Sequence, residues 1–150
     1  MASLRDRPYG QFNFLVDLGD GDPNGPHAGF QEISQVAVET QVIEYRNGNA
    51  KTNEPIKLTG LSKSSDVTLK RGIIGSLDLF HWLDQVRNGD QGAVRDVTIR
   101  LISEDHTQVV QTWKLTRARI VRHASGPFDA QGGDVAVEEI VLAYEHLSIE

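Results

Sequence analysis

The stretch Lys70-Arg71-Gly72-Ile73-Ile74-Gly75-Ser76 places a basic pair and two glycines three apart directly before a helical pattern. Such a loop offers an anion the free N–H groups and the positive dipole end of a helix N-terminus, so phosphate chemistry is the first reading to test. It fails the P-loop requirement: Ser76 and Leu77 follow the second glycine, and the lysine lies before the glycines instead of among them. The competing reading makes Gly72 and Gly75 a hinge that turns a strand into a packing helix, with Ser76 as the N-cap.

The remaining chemistry-bearing residues do not assemble into a mechanism. His27, His81, His106, His123 and His146 are scattered, and a metal site needs at least three converging donors. Glu138-Glu139 are adjacent on a predicted strand and so point to opposite faces, while Asp20 and Asp22 sit in a turn-rich loop. The serines of Ser62-Lys63-Ser64-Ser65 and Ser125-Gly126-Pro127 lack a nucleophile elbow and a placed base. With no cysteine in the chain, thiol catalysis, disulfides and cysteine-based zinc sites are excluded. The expectation is a protein without catalytic residues or cofactors.

The elements that would position any site are mostly strands. Phe12, Phe14, Val16 and Leu18 alternate with Gln11, Asn13, Leu15 and Asp17, the period of a half-buried strand. After the turn-rich GDGDPNGPHAG, alternation resumes from Phe30 and predicts one long strand to Tyr45. The polar RNGNAKTNEP follows, and then Val67 and Leu69 mark a further strand. Leu79, Phe80, Leu83 and Val86 form an apolar stripe, which predicts a helix over residues 76–88 ending at Asn88-Gly89.

Val97, Ile99 and Leu101 then share one face of a further strand, and two long strands complete the chain, joined to their neighbours by a turn at Glu104-Asp105-His106 and by a polar loop. In the first, Trp113 and Leu115 share one parity and Ala118 and Ile120 the other, so a bulge is expected near Thr116. The second shows a similar slip between Val137 and Ile140, with Leu147 and Ile149 back on the first parity. Bulges around a barrel, or burial of both faces in an assembly, would each produce this pattern. The fold class expected is mainly β with one helix, a small β-barrel or two-sheet sandwich with the helix on an edge.

At 150 residues the chain suits a single domain, with residues 1–10 as an N-terminal arm. A hydrophobic fraction of 39% with 24% charged residues weighs against both disorder and a membrane span. The net charge of −6 weighs against a nucleic-acid binder, which would carry a clustered basic face. MASLRDRPYGQ has no apolar signal-peptide core, so synthesis in the cytoplasm is expected.

The segments PYGQFNFLVDLG, AGFQEISQV, VIEYRNGN, DVTLKRGIIGSLDLFHWLDQVRNGD and TWKLTRARIVRHASGPFDAQGGDVAVEEIVLAYEHLSIE occur in that order over residues 8–150. Together they resemble the phage tail-tube protein family, above all the inner-tube subunits of extracellular contractile injection systems of the antifeeding prophage and Photorhabdus virulence cassette types. The resemblance implies two orthogonally packed sheets flanked by one helix, hexameric rings with a β-lined channel, and stacking of rings inside a contractile sheath. It implies as partners further copies of the chain, sheath, baseplate and spike proteins, a tube terminator and protein cargo, with no membrane anchor and no specific nucleic-acid binding.

By the same resemblance a stacking loop is assigned to residues 46–60, with Arg46, Asn47, Gly48, Asn49, Lys51 and Asn53 reaching the adjacent ring. His81 and Trp82 are expected at a subunit interface. Assembly in the producing bacterium's cytoplasm, then an extracellular or virion-like particle, completes that expectation. The alternatives are a contractile phage tail tube conducting DNA, or a monomeric β-barrel ligand-binding protein using the Lys70–Ser76 loop.

Overall fold

Alternating apolar residues shape most of the structure, a computed structural model that describes residues 2–19 and 29–150. Strand β1 (Phe14–Asp17) buries Val16, and Leu18 just beyond it is also buried. β2 (Phe30–Ile33) and β3 (Val38–Tyr45) are separate strands, so the single strand expected from Phe30 to Tyr45 is broken at residues 34–37. The alternation runs through the break, but the backbone leaves one sheet there and enters another. β4 (Ile56–Ser64) was not anticipated, and residues 56–60, expected in the loop, lie in it; the loop proper is 46–55.

β5 (Val67–Gly72) leads into helix α1 (Asp78–Arg87), followed by β6 (Arg95–Ile102), β7 (Val109–Ser125), β8 (Val137–Ala143) and β9 (His146–Ile149). Among the described residues the chain is therefore mainly β with a single helix, in two antiparallel sheets. The larger has seven strands in the order β1-β6-β7-β8-β5-β2, with β9 also on β7; β3 and β4 form the second.

The larger sheet folds over itself through β7. The first half of this strand pairs with β6 and β9, and the second half pairs with β8. The register slips between Leu115 and Ala118, where Arg117 takes a φ of 55°. Leu115, Ala118 and Ile120 are all buried, so the expected bulge carries the inward face from one parity to the other. Val16, Val67, Leu69, Val97, Ile140 and Leu142 fill the space between the two halves.

The slip expected in the last long strand has another cause. Glu138, Ile140 and Leu142 all face inward in regular β8, and the apolar pattern breaks only because Glu138 holds an inward position. Its register partner on β5 is Arg71, the third inward residue after Val67 and Leu69. The return to the first parity at Leu147 is a chain corner at Tyr144-Glu145, where Glu145 N–H donates to the Thr116 carbonyl at 3.1 Å.

Arg71 is 1% exposed, and its guanidinium donates to Glu138 Oε1 at 2.5 Å and to Asp78 Oδ1 at 2.6 Å. His123 of β7 lies 3.1 Å from the other Glu138 oxygen. Burial is the largest single influence and opposes the charge on both Arg71 and Asp78, but their hydrogen bonds and paired charges, with Glu138 and Ser76 contributing, together outweigh it, raising the first pKa and lowering the second. The helix start is thus tied to the sheet through Asp78. Its N-cap is Leu77, not Ser76; Ser76 Oγ instead donates to Asp78 Oδ1 at 2.7 Å and accepts a long 3.4 Å bond from Asp78 N–H.

Removing one partner of this buried cluster leaves an uncompensated charge. Arg71→Ala is therefore expected to lower the unfolding free energy by about 3–5 kcal/mol, measured in urea, with the Arg71→Met/Glu138→Leu double variant recovering part of the loss. The lowered Asp78 pKa contributes stability that is present above the ordinary carboxylate range and disappears as pH falls through the folded-state value. An acid titration of stability with the same profile in Asp78→Asn would refute that assignment.

Candidate assembly surfaces

The hairpin of β3 and β4 has solvent on both of its faces, with every residue of β3 exposed. Antiparallel partners share a face, and the register therefore sorts the hairpin into two unlike sides. Ile43 lies opposite Leu58 and Tyr45 opposite Ile56, an apolar patch at the loop end of one side whose four members are 49–54% exposed, with Glu39 opposite Lys63 farther along that side. The other side pairs Val38 with Ser64, Thr40 with Ser62, Val42 with Thr59 and Glu44 with Lys57. It is mixed, with four hydroxyl-bearing residues, two exposed valines and one residue of each charge. The register slip between Thr40 and Val42 occurs at Gly60, where a Cβ would stand 3.1 Å from the Gln41 carbonyl oxygen.

The loop joining the strands is folded on itself. Arg46 donates through Nε to the Thr52 carbonyl at 3.1 Å, and Tyr45 Oη donates to Asn47 Oδ1 at 2.7 Å. All of Arg46, Asn47, Gly48, Asn49, Lys51 and Asn53 are at the surface, although Arg46 serves the loop's shape as well as its charge.

The helix divides the two residues expected at an interface. His81 is exposed, whereas Trp82 is 1% exposed and donates from Nε1 to the Ala93 carbonyl at 2.9 Å. Trp82 therefore belongs to this chain's own core and is unavailable to a neighbour. Phe80, expected to bind the helix to the sheet, is instead 40% exposed, with its ring edge-on to His123 at 6.2 Å. The buried stripe is Leu79 and Trp82, flanked by Leu83 and Val86.

The opening loop places neither basic residue toward an anion. Arg71 is committed to Asp78 and Glu138, and Lys70 approaches Glu32 at 3.7 Å and Glu139 at 4.0 Å. Gly75, at a φ of +82°, is the hinge; Gly72 has an ordinary backbone, and a Cβ there would meet only a 3.8 Å contact. Glu138 and Glu139 do point apart, the second to Arg122 at 2.6 Å. His106 sits in the β6–β7 turn with φ of 63°, and His146 is exposed on β9. His27 and the Asp20–Asp22 pair lie outside the described residues. Among the described residues no three metal-ligating side chains converge, and no helix is long and apolar enough to cross a membrane.

Two further surfaces escaped the sequence reading. Among the described residues β1 pairs only with β6 and β2 only with β5, leaving a cleft of about 700 Å³ lined by Phe12, Phe14, Ile33, Val36, Leu101 and Trp113. The N-terminal arm is pinned beside it. Arg5 lies 3.7 Å over the Tyr9 ring and grips the Glu104 carboxylate at 2.6 and 3.1 Å, while Gly10 N–H donates to Glu104 Oε1 at 2.9 Å.

The architecture is mainly β with one helix, a projecting two-faced hairpin and, among the described residues, unpaired sheet edges. The family model for the T4-like virus tail tube protein gp19 matches residues 10–148, and the chain belongs to that family. A search of curated proteins finds no match.

Solved structures agree. A chain of the sheath-tube complex of PVC, an extracellular contractile injection system, in its extended state superposes with a TM-score of 0.82 at 28% identity, covering 97% of this chain and 93% of that one. A chain of the anti-feeding prophage tube-terminating cap gives 0.83 at 25% identity over 100% and 95%. Hcp1 from Flavobacterium johnsoniae shares the fold, with a TM-score of 0.57 at 15% identity over 91% and 93%. The protein is thus a tail-tube protein of the kind found in contractile injection systems and phage tails, a family of structural subunits.

Two outcomes are expected from these surfaces. Trp82→Ala should destabilise the fold by about 3–5 kcal/mol in thermal or urea unfolding, whereas His81→Ala should be near neutral. The Arg5 contact holds the Glu104 pKa down to about 2, so docking of the arm should weaken progressively as pH falls below the ordinary carboxylate range and be lost by about 2. Protection of amides 3–10 that, after correction for intrinsic exchange, does not change over that range would contradict this.

Proposed function

We propose that the chain forms hexameric rings that stack into the hollow inner tube of a contractile injection system, through which protein cargo passes when a sheath contracts and drives the tube into a target envelope. The observation that carries this reading is the hairpin, which exposes an apolar patch on one side and a mixed surface on the other and has a core on neither. A lone hairpin is marginal in water, and its exposed apolar residues call for a neighbouring copy. Ring formation also removes the free edges of β1 and β2, which otherwise invite uncontrolled pairing.

The partners on this reading are other copies of the chain, sheath, baseplate and spike proteins and a tube terminator. Subunits assemble in the producing cell's cytoplasm and leave it within an extracellular or virion-like particle. The tube contributes rigidity and a wall to which cargo does not adhere. The loop residues Arg46, Asn47, Gly48, Asn49, Lys51 and Asn53 contact the next ring, and His81 remains available to a neighbouring subunit. A phage tube conducting DNA is the second reading, favoured by the family's virus-tail description; genes for a capsid and terminase beside this one would decide for it.

Negative-stain electron microscopy of the purified chain is expected to show six-fold rings with a central hole, or tubes. Uniform monomers across protein concentrations would overturn the reading. Deleting residues 47–53 should spare the fold and impair stacking, seen as rings without tubes, and tubes of normal length from that variant would remove the loop from the contact.

A further inference from the structure

Two apolar surfaces face away from this chain's own core, and the course of β5 puts them at opposite ends of the sheet. The hairpin leaves at the start of β5, where Ser34 N–H donates to the Thr68 carbonyl and Ser65 N–H to that of Ala37, each at 2.9 Å. At the far end Gly72 pairs with Val137, and Ile73 N–H donates to the Ala136 carbonyl at 2.9 Å. That bond joins the β5–α1 turn to the β7–β8 loop. The two segments carry Ile73, Ile74, Leu77, Phe128 and Val135, which are 40–74% exposed. Six strand residues separate the two ends by roughly 15–20 Å.

We propose that the apolar patch of the hairpin, Ile43, Tyr45, Ile56 and Leu58, seats on this Ile73–Leu77 and Phe128–Val135 end of a copy in the adjacent ring. The inference rests on the tube reading and assigns the surface that receives the hairpin. Charge supports the match: the hairpin loop carries Arg46 and Lys51 against a single Glu54, whereas the β7–β8 loop carries Asp129 and Asp134 and no basic residue. Because the two surfaces differ and lie at opposite ends, the contact is head-to-tail. It does not close on itself in a pair, and it propagates along an axis as tube growth requires. Apolar burial supplies the attraction, and the charges set the register.

The chain has no cysteine, so an engineered pair reports cleanly. In assembled tubes of the Leu58→Cys/Val135→Cys double variant, mild oxidation is expected to produce a ladder of chain multiples on a non-reducing gel, while each single variant stays monomeric. Tubes of normal appearance that give no ladder, or a single variant that cross-links to itself, overturn the proposal and leave the tube reading intact. Wild-type protein that forms neither rings nor tubes overturns the tube reading itself. A second variant, Ile74→Asp/Val135→Asp, alters only exposed positions and should keep rings while abolishing stacking; unaltered tube length would count against the contact.

Discussion

Arg71 sets the terms on which the rest of the structure is arranged. A guanidinium removed from water must be surrounded by acceptors, and here they come from two elements: Glu138 on β8 and Asp78 at the start of α1, with His123 of β7 behind Glu138. An apolar residue at position 71 would hold β5 to β8 equally well, but it would not specify where the helix begins. The charge converts a non-directional contact into a fixed junction of four elements. From that junction the β5–α1 turn and the β7–β8 loop emerge side by side.

The other governing constraint is incompleteness. Among the described residues the larger sheet ends in unpaired edges at β1 and β2, and the smaller sheet has no core of its own. Exposed apolar residues scattered singly are ordinary, but Ile43, Tyr45, Ile56 and Leu58 are contiguous on one side of a projecting hairpin. A monomeric ligand-binding barrel would have no use for such a feature. A subunit whose fold is completed by copies of itself does, and membership of the tail-tube family gives that need a setting.

The parts of this fold visible in the sequence are those whose residues answer to the chain's own core. β1, β5, β6 and the bulge in β7 follow the period of two, and Gly89 ends the helix with a φ of +90°. β4 was hidden because Ile-Lys-Leu-Thr-Gly-Leu-Ser-Lys-Ser faces no core in this chain, so its polarity reads as loop. The Arg71–Glu138 pair was legible in principle: each charge continues an inward series, after Val67 and Leu69 on one strand and before Ile140 and Leu142 on the other. Trp82 was also recoverable, since positions 79, 82, 83 and 86 share a helical face while Phe80 stands about 100° away. The expectation that residues 46–60 contact another copy came from the whole-chain resemblance alone, because no period describes a partner that is absent.

β7 has a mechanical consequence. Its 17 residues span roughly 55 Å, and along that length it is laced to β6, β9 and β8 in turn. Tension along this strand would load many hydrogen bonds together in shear, so that none could be peeled away alone. One strand, bulged at Arg117, crosses both halves of the molecule and acts as a tie rod between them.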